Sequence, residues 1–200
     1  MALQQFTHYA QSLNSRPEHR FYALWILLNT VGWSAALIIG TIITGGVLPD
    51  LQVCLIPLTG MLVGGIIGAF QGVPLRQLAL KQSIHHDWTA SSAVGGMIGS
   101  IGVSLVLFTA ILGTTTSSII TGIVFGLCMG AMQSVVLYRE LPYFPFIWTA
   151  ANGFAGCLCS LCAYGFNPLS LPIFCTLGPP LFGIVTAFAW RIVLNLDIEA

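Results

Sequence analysis

Three times along this chain, at an interval of about sixty residues, the same small and polar residues return in the same order. Gly64, Gly68, Gln71 and Leu75 recur as Gly126, Gly130, Gln133 and Leu137, and again, altered, as Gly183, Ala187, Trp190 and Leu194. Steps of four, three and four residues put each set along one stripe of an α-helix. A second pattern interleaves with the first: Trp25, Asn29 and Gly32 return as Trp88, Ser92 and Gly95, then as Trp148, Asn152 and Ala155. The chain therefore reads as three copies of a two-helix unit, and any fold has to satisfy that unit three times.

Composition says where such a unit can live. Of the 200 residues 56% are hydrophobic and only 6% charged, whereas about a quarter of the residues of a soluble domain carry charge. Mean hydropathy is +0.90, and the 22 glycines suit helices that approach closely in lipid. Formal charge is zero, and six basic residues cannot build a nucleic-acid face. No cleavable signal peptide is expected, because the first apolar run starts after Arg20 and more such runs follow.

Six segments reach the roughly 20 residues a bilayer crossing needs: Phe21–Ile43, Leu51–Val73, Trp88–Leu112, Ser117–Tyr138, Phe144–Phe166 and Leu171–Leu194. Short turns, Thr44–Asp50, Gly113–Thr116 and Asn167–Ser170, join them on one side, where Asp50, Thr116 and Ser170 are available as N-caps. All six basic residues (Arg16, Arg20, Arg76, Lys81, Arg139 and Arg191) fall on the other side. The positive-inside rule then assigns that side, and both termini, to the cytoplasm or its equivalent.

The expected fold is an all-α membrane protein: six transmembrane helices as three parallel-repeated two-helix hairpins about a pseudo-three-fold axis. Residues 21–194 form the single transmembrane domain, with repeats at about 21–75, 88–138 and 144–194. Residues 1–20 form an amphipathic arm, with Leu3, Phe6, Ala10 and Leu13 on one face, and 195–200 a short tail. In this arrangement the glycine stripes face one another or their own hairpin partner, and serve close packing or line a groove for a flat ligand. Copy three has decayed, and Gly178-Pro179-Pro180 is expected to kink span six or break its outer part. Leu75, Leu78 and Ile84 beside Arg76 and Lys81 suggest a second interfacial stretch in the Pro74–Asp87 loop.

The candidate site is a polar layer in the cytoplasmic half of the bilayer, made by Asn29, Gln71, Ser92, Gln133 and Asn152. Two readings stand side by side: amides that bond across helices and fix their register, or amides that ligate or orient a bound chlorophyll, carotenoid or lipid. Trp25, Trp88 and Trp148 begin their spans as interface anchors, four residues from the layer they also cover. The six cysteines lie within spans and read as small hydrophobes; Cys162 and Cys175 flank the last turn and could pair. His85-His86-Asp87 resembles a metal tripeptide but reads as a solvated loop. No charged residue sits deep in a span, and no nucleophile–base pair, phosphate loop or HExxH helix is present, so an enzyme is not expected.

The unit Gly-x3-Gly-x2-Gln-x3-Leu, running into a basic residue and then a Trp-led helix, resembles a group of polytopic membrane proteins frequent in cyanobacteria and related bacteria. It spans Trp25 to Leu194, with copy three departing from it. The resemblance implies a bacterial plasma or thylakoid membrane and carries no activity with it. The leading expectation is a non-enzymatic accessory subunit, scaffold or assembly factor of a larger membrane complex, photosynthetic or respiratory, with other membrane subunits as partners. The alternative is a transport module similar to the substrate-capturing membrane subunit of a vitamin importer. Pigment or quinone binding by the polar layer is a third.

Overall fold

A hydrocarbon environment offers no partner to a free backbone amide, so apolar segments of this length fold as helices that satisfy their own hydrogen bonds. The computed structural model describes residues 19–45, 49–78, 84–109, 114–138, 141, 144–164 and 170–199. Six helices account for nearly all of them: α1 (His19–Gly45), α2 (Pro49–Leu75), α3 (Ile84–Thr109), α4 (Thr114–Tyr138), α5 (Phe144–Tyr164) and α6 (Ser170–Glu199). Each coincides with one expected span to within a few residues. Among the described residues, four stretches are long and apolar enough to cross a bilayer: Arg20–Gly40, Leu55–Leu75, Ile84–Val106 and Thr116–Tyr138. The expected arm at 1–20 lies almost wholly outside the described residues.

Several boundaries differ from expectation. Helices α2 and α4 begin ahead of Asp50 and Thr116, which are therefore not the residues that open them. Helix α3 starts at Ile84, so His85-His86-Asp87 belongs to its first turn and not to a loop. Helix α6 continues to Glu199, past the expected end at Leu194. It is also helical through Pro179 and Pro180, and the expected break is absent. Beside the prolines, the thiol of Cys159 on α5 donates to the Gly178 carbonyl at 3.0 Å and ties this turn to its neighbour.

Each helix packs against its neighbours in the chain, and α1 also meets α6, which closes the six into a ring. The tightest seams are set by glycine. A Cβ added to Gly64 would strike the Ser92 carbonyl oxygen, and one on Gly96 would strike the Gly60 carbonyl oxygen. The same collisions recur between Gly126 and Asn152, and between Gly156 and Gly122. Thus α2 lies backbone to backbone on α3, and α4 on α5. This corrects the expectation for the stripes: they face neither one another nor their own hairpin partner, but the first helix of the next unit. The reason is that Ser92, Gly96 and Ser100 on α3, and Asn152, Gly156 and Ser160 on α5, present an equally flat face. Within units the contact uses other glycines and side chains, with a Cβ on Gly32 meeting Phe70 at 2.9 Å and one on Gly95 meeting the Met129 Cα at 2.9 Å.

The core sits at the cationic end of the ring, where Arg20, Arg76 and Arg191 are exposed. Phe21, Trp25, Trp88, Trp148, Trp190, Leu137 and Leu194 form one buried cluster. Leu75, Leu78 and Ile84, expected at the membrane interface, are buried in the same cluster, because the turn after α2 folds inward. Leu141 joins them, its amide donating to the Leu137 carbonyl at 2.7 Å.

The glycine seams generate a graded prediction. Gly96→Ala forces α2 and α3 apart and should destabilise the purified protein by about 1–3 kcal/mol, the usual range for overpacking. Gly65→Ala meets only the Ala93 Cβ, at 3.6 Å, so the better helix propensity of alanine should leave stability unchanged or raise it by about 0.5–1 kcal/mol. Thermal unfolding in mild detergent, followed by the reactivity of the half-buried thiols, measures both.

Candidate functional site

All five residues of the expected polar layer are buried, none more than 1% exposed. Four of them, Asn29, Gln71, Ser92 and Gln133, join directly in one hydrogen-bonded network, and Asn152 is linked to it only through Trp148. The Gln71 amide donates from Nε2 to Oδ1 of Asn29 at 2.7 Å. Nε2 of Gln133 donates to Oε1 of Gln71 and to Oγ of Ser92, each at 2.8 Å. Asn29 and Asn152 turn their own Nδ2 groups back to the carbonyls of Trp25 and Trp148, both at 2.9 Å. Ser92 does the same with its hydroxyl to the Trp88 carbonyl at 2.8 Å. The layer thus consists of residues four positions beyond each tryptophan, together with the two glutamines that reach across to them.

The tryptophans are not interface anchors. Trp25, Trp88 and Trp148 are fully buried, and with Trp190 their ring centroids lie 5.3–6.4 Å apart. What draws them inward is an acceptor for each indole N–H. Nε1 of Trp88 donates to Oε1 of Gln71 at 3.1 Å, and Nε1 of Trp148 to Oε1 of Gln133 at 2.9 Å. Nε1 of Trp25 donates to Oγ1 of Thr186 at 2.9 Å. Each bond runs from the first helix of one unit to the second helix of the preceding unit, with Trp25 reaching round to α6. A buried indole without an acceptor is costly, so these bonds fix which helices are neighbours.

Copy three uses different chemistry at this level. Trp190 stands where the other copies have glutamine, and the acceptor for Trp25 moves one turn back, to Thr186. Losing that glutamine has a second consequence. Asn29 and Ser92 each accept from a glutamine of their own unit, whereas the Asn152 Oδ1 is buried with no hydrogen-bond partner. Neither Thr186 nor Trp190 was assigned to the site from sequence. The signal was present in the failed match at position 190, since a lost acceptor has to be replaced within reach.

Beyond the layer, towards the short connections, the helices surround a partly open cavity of about 330 Å³. All six helices line it, through residues that include Trp33, Val63, Val103, Phe125, Cys159 and Phe182. The Trp33 indole lies against Phe182, with ring centroids 4.9 Å apart, and against Phe125 at 5.9 Å. Two lining residues, Trp33 and Thr121, hold a buried Nε1 and Oγ1 that have no hydrogen-bond partner and are covered by neighbouring atoms. The wall offered to an occupant is therefore apolar. Its lining residues Trp33, Val63 and Phe125 pack against the buried Ala36, Ile67 and Met129 cluster.

Of the remaining candidates, Cys159 lines the cavity, while His85, Cys128 and Cys157 are not among its lining residues. Nε2 of His85 accepts a hydrogen bond at 2.8 Å from the Arg76 guanidinium, which has only donors to offer. The lone pair a metal would need is thereby engaged beside a cation. Cys128 and Cys157 are free thiols, the Cys159 thiol donates to the Gly178 carbonyl, and the side chains of Cys162 and Cys175, expected to pair, lie outside those described. Comparison of the chain with protein-family models, curated proteins and solved structures finds no match.

The network predicts two opposite outcomes. Gln133→Leu removes the acceptor of Trp148 and the donor to Ser92 and Gln71, and should cost about 1–3 kcal/mol for the polar atoms it orphans. Asn152→Ser copies Ser92, keeps a hydroxyl for the Trp148 carbonyl and deletes the orphaned oxygen. It should be neutral or stabilising. Denaturant unfolding followed by tryptophan emission resolves both, because the indoles report directly on the layer.

Proposed function

We propose that this chain is a non-enzymatic integral membrane protein with six membrane spans, built as three parallel hairpins about a pseudo-three-fold axis, that captures a small apolar molecule inside its helical ring. The observation that carries the reading is the cavity of about 330 Å³ lined from every helix. That volume is at the lower end of the range for small-molecule pockets, roughly 300–1,000 Å³. The cationic end of the ring is filled by four tryptophans and the amide network, so the cavity has a sealed floor. A sealed floor beneath an apolar chamber suits a substrate-capturing module better than a scaffold, whose packing needs no such chamber.

The recurring tryptophan–acceptor bonds support the three-fold reading, and the exposed Arg20, Arg76 and Arg191 at one end support a cytoplasmic position for that end. A bacterial plasma or thylakoid membrane is the compartment we favour. A membrane complex as host belongs to the same proposal, since a capture module hands its cargo to another subunit. The cavity is small for a chlorophyll or a full-length carotenoid, and a molecule of one to three fused rings or a short acyl chain is the better fit. The amide layer acts in this reading as the lock that holds the floor, its bonds being made within the protein.

The test is equilibrium binding of 1-aminoanthracene, an apolar fluorophore, to the purified protein in mild detergent. Saturable binding at about one site per chain, accompanied by quenching of tryptophan emission, is the expected result. A response that rises linearly with dye, as into empty micelles, overturns the capture reading. Tags at both ends of the chain should also be accessible from the same side of the membrane; tags on opposite sides would refute six spans.

A further inference from the structure

The seams of the ring are not alike. Between α2 and α3 the stripe Gly60, Gly64, Gly68 meets Ser100, Gly96 and Ser92. Between α4 and α5 the stripe Gly122, Gly126, Gly130 meets Ser160, Gly156 and Asn152. The equivalent seam between α6 and α1 has lost this chemistry from both sides. On α6, Pro179 and Ala187 take the places of the first and third glycine, and only Gly183 remains, its added Cβ lying 3.1 Å from the Ile26 Cα. On α1, eight and twelve residues beyond the tryptophan, Trp33 and Leu37 take the places of the glycine and serine of the other copies.

Large side chains therefore fill what is elsewhere a contact of backbones. Trp33 from α1 and Phe182 from α6 meet across this seam, and Trp33, Leu37 and Phe182 all line the cavity. Among the described residues it is the least extensive of the six seams. It also joins the first and last helices, which no neighbouring connection ties together. A seam of interlocked backbones opens only by parting two helices along their length. A seam closed by aromatic rings opens when one or two side chains change rotamer, with both helices left in place.

We propose that the α1–α6 seam is a lateral portal through which a small, uncharged, apolar molecule dissolved in the bilayer reaches the cavity, with the Trp33–Phe182 pair as its gate. The proposal rests on the reading of the cavity as a binding site and adds the source of the ligand and its route. A ligand of this origin needs no polar recognition, in keeping with the apolar wall. A water-soluble cargo would instead arrive from the aqueous face and require hydrogen-bonding groups along its path.

The test is stopped-flow binding of 1-aminoanthracene to the protein in liposomes, at fixed free aqueous dye, with bilayers of two compositions that take up the dye to different mole fractions. The expected association rate is higher in the bilayer that holds more dye, in proportion to its mole fraction there. Phe182→Ala should raise the association and dissociation rates together, by about tenfold each. Phe125→Ala, which enlarges the same cavity from α4, should change affinity without that paired acceleration. Trp33→Leu provides a second gate variant should Phe182→Ala fold poorly. Rates that follow the aqueous dye concentration, or equal kinetics in the Phe182 and Phe125 variants, overturn the portal while leaving the capture reading intact. Absence of saturable binding overturns both.

Discussion

An indole N–H buried in a membrane protein can find an acceptor only inside the protein, and three such bonds organise this molecule. Trp88 on Gln71, Trp148 on Gln133 and Trp25 on Thr186 each tie one unit to the one before it. Because the third bond runs from the first helix to the last, the set is a circuit and not a chain. Apolar burial contributes little to choosing helix neighbours in lipid, since a leucine is as well solvated by acyl chains as by another helix. Polar bonds and close backbone packing are left to make the choice. Here both fall on the same seams, α2–α3 and α4–α5, where glycine stripes meet small-residue faces beside the tryptophan–glutamine pairs.

The departures of copy three follow from the same constraint. Replacing the third glutamine with Trp190 adds a ring to the tryptophan cluster but strands the Asn152 oxygen and shifts the acceptor of Trp25 to Thr186. Replacing glycines with Pro179 and Ala187, and their facing partners with Trp33 and Leu37, exchanges a rigid seam for one filled by side chains. Three identical units would give a ring with three equally tight seams and no preferred direction of opening. Decay in one unit gives the ring a front. We read the function from that break in symmetry, and the stability from the two copies that keep it.

Much of the layer was legible beforehand. Asn29, Gln71, Ser92, Gln133 and Asn152 stood out because amides are rare in long apolar helices and because they recurred in register. Their partners were not legible, since periodicity places a residue on a stripe without saying which helix that stripe faces. The tryptophans show the gap. Their position at the start of each span fitted an interface anchor equally well, and only the acceptor lying inside the ring turns them inward. Leu78 and Ile84 show it again, for a loop leucine beside an arginine has the same sequence whether it lies on lipid or folds over a core.

What the sequence determined by itself was the number and kind of elements, the repeat, the stripe of small residues and the identity of the polar layer. These are properties of hydropathy and of spacing within one helix, and they hold whatever the helix packs against. Tertiary structure alone decided that the stripes meet the next unit and not their own partner, that four tryptophans share one site, and that a cavity remains above them. Those outcomes depend on contacts between distant residues, 161 positions apart for Trp25 and Thr186, where one surface is chosen over another by a bond or a clash. Only the assembled ring reveals which choice was made.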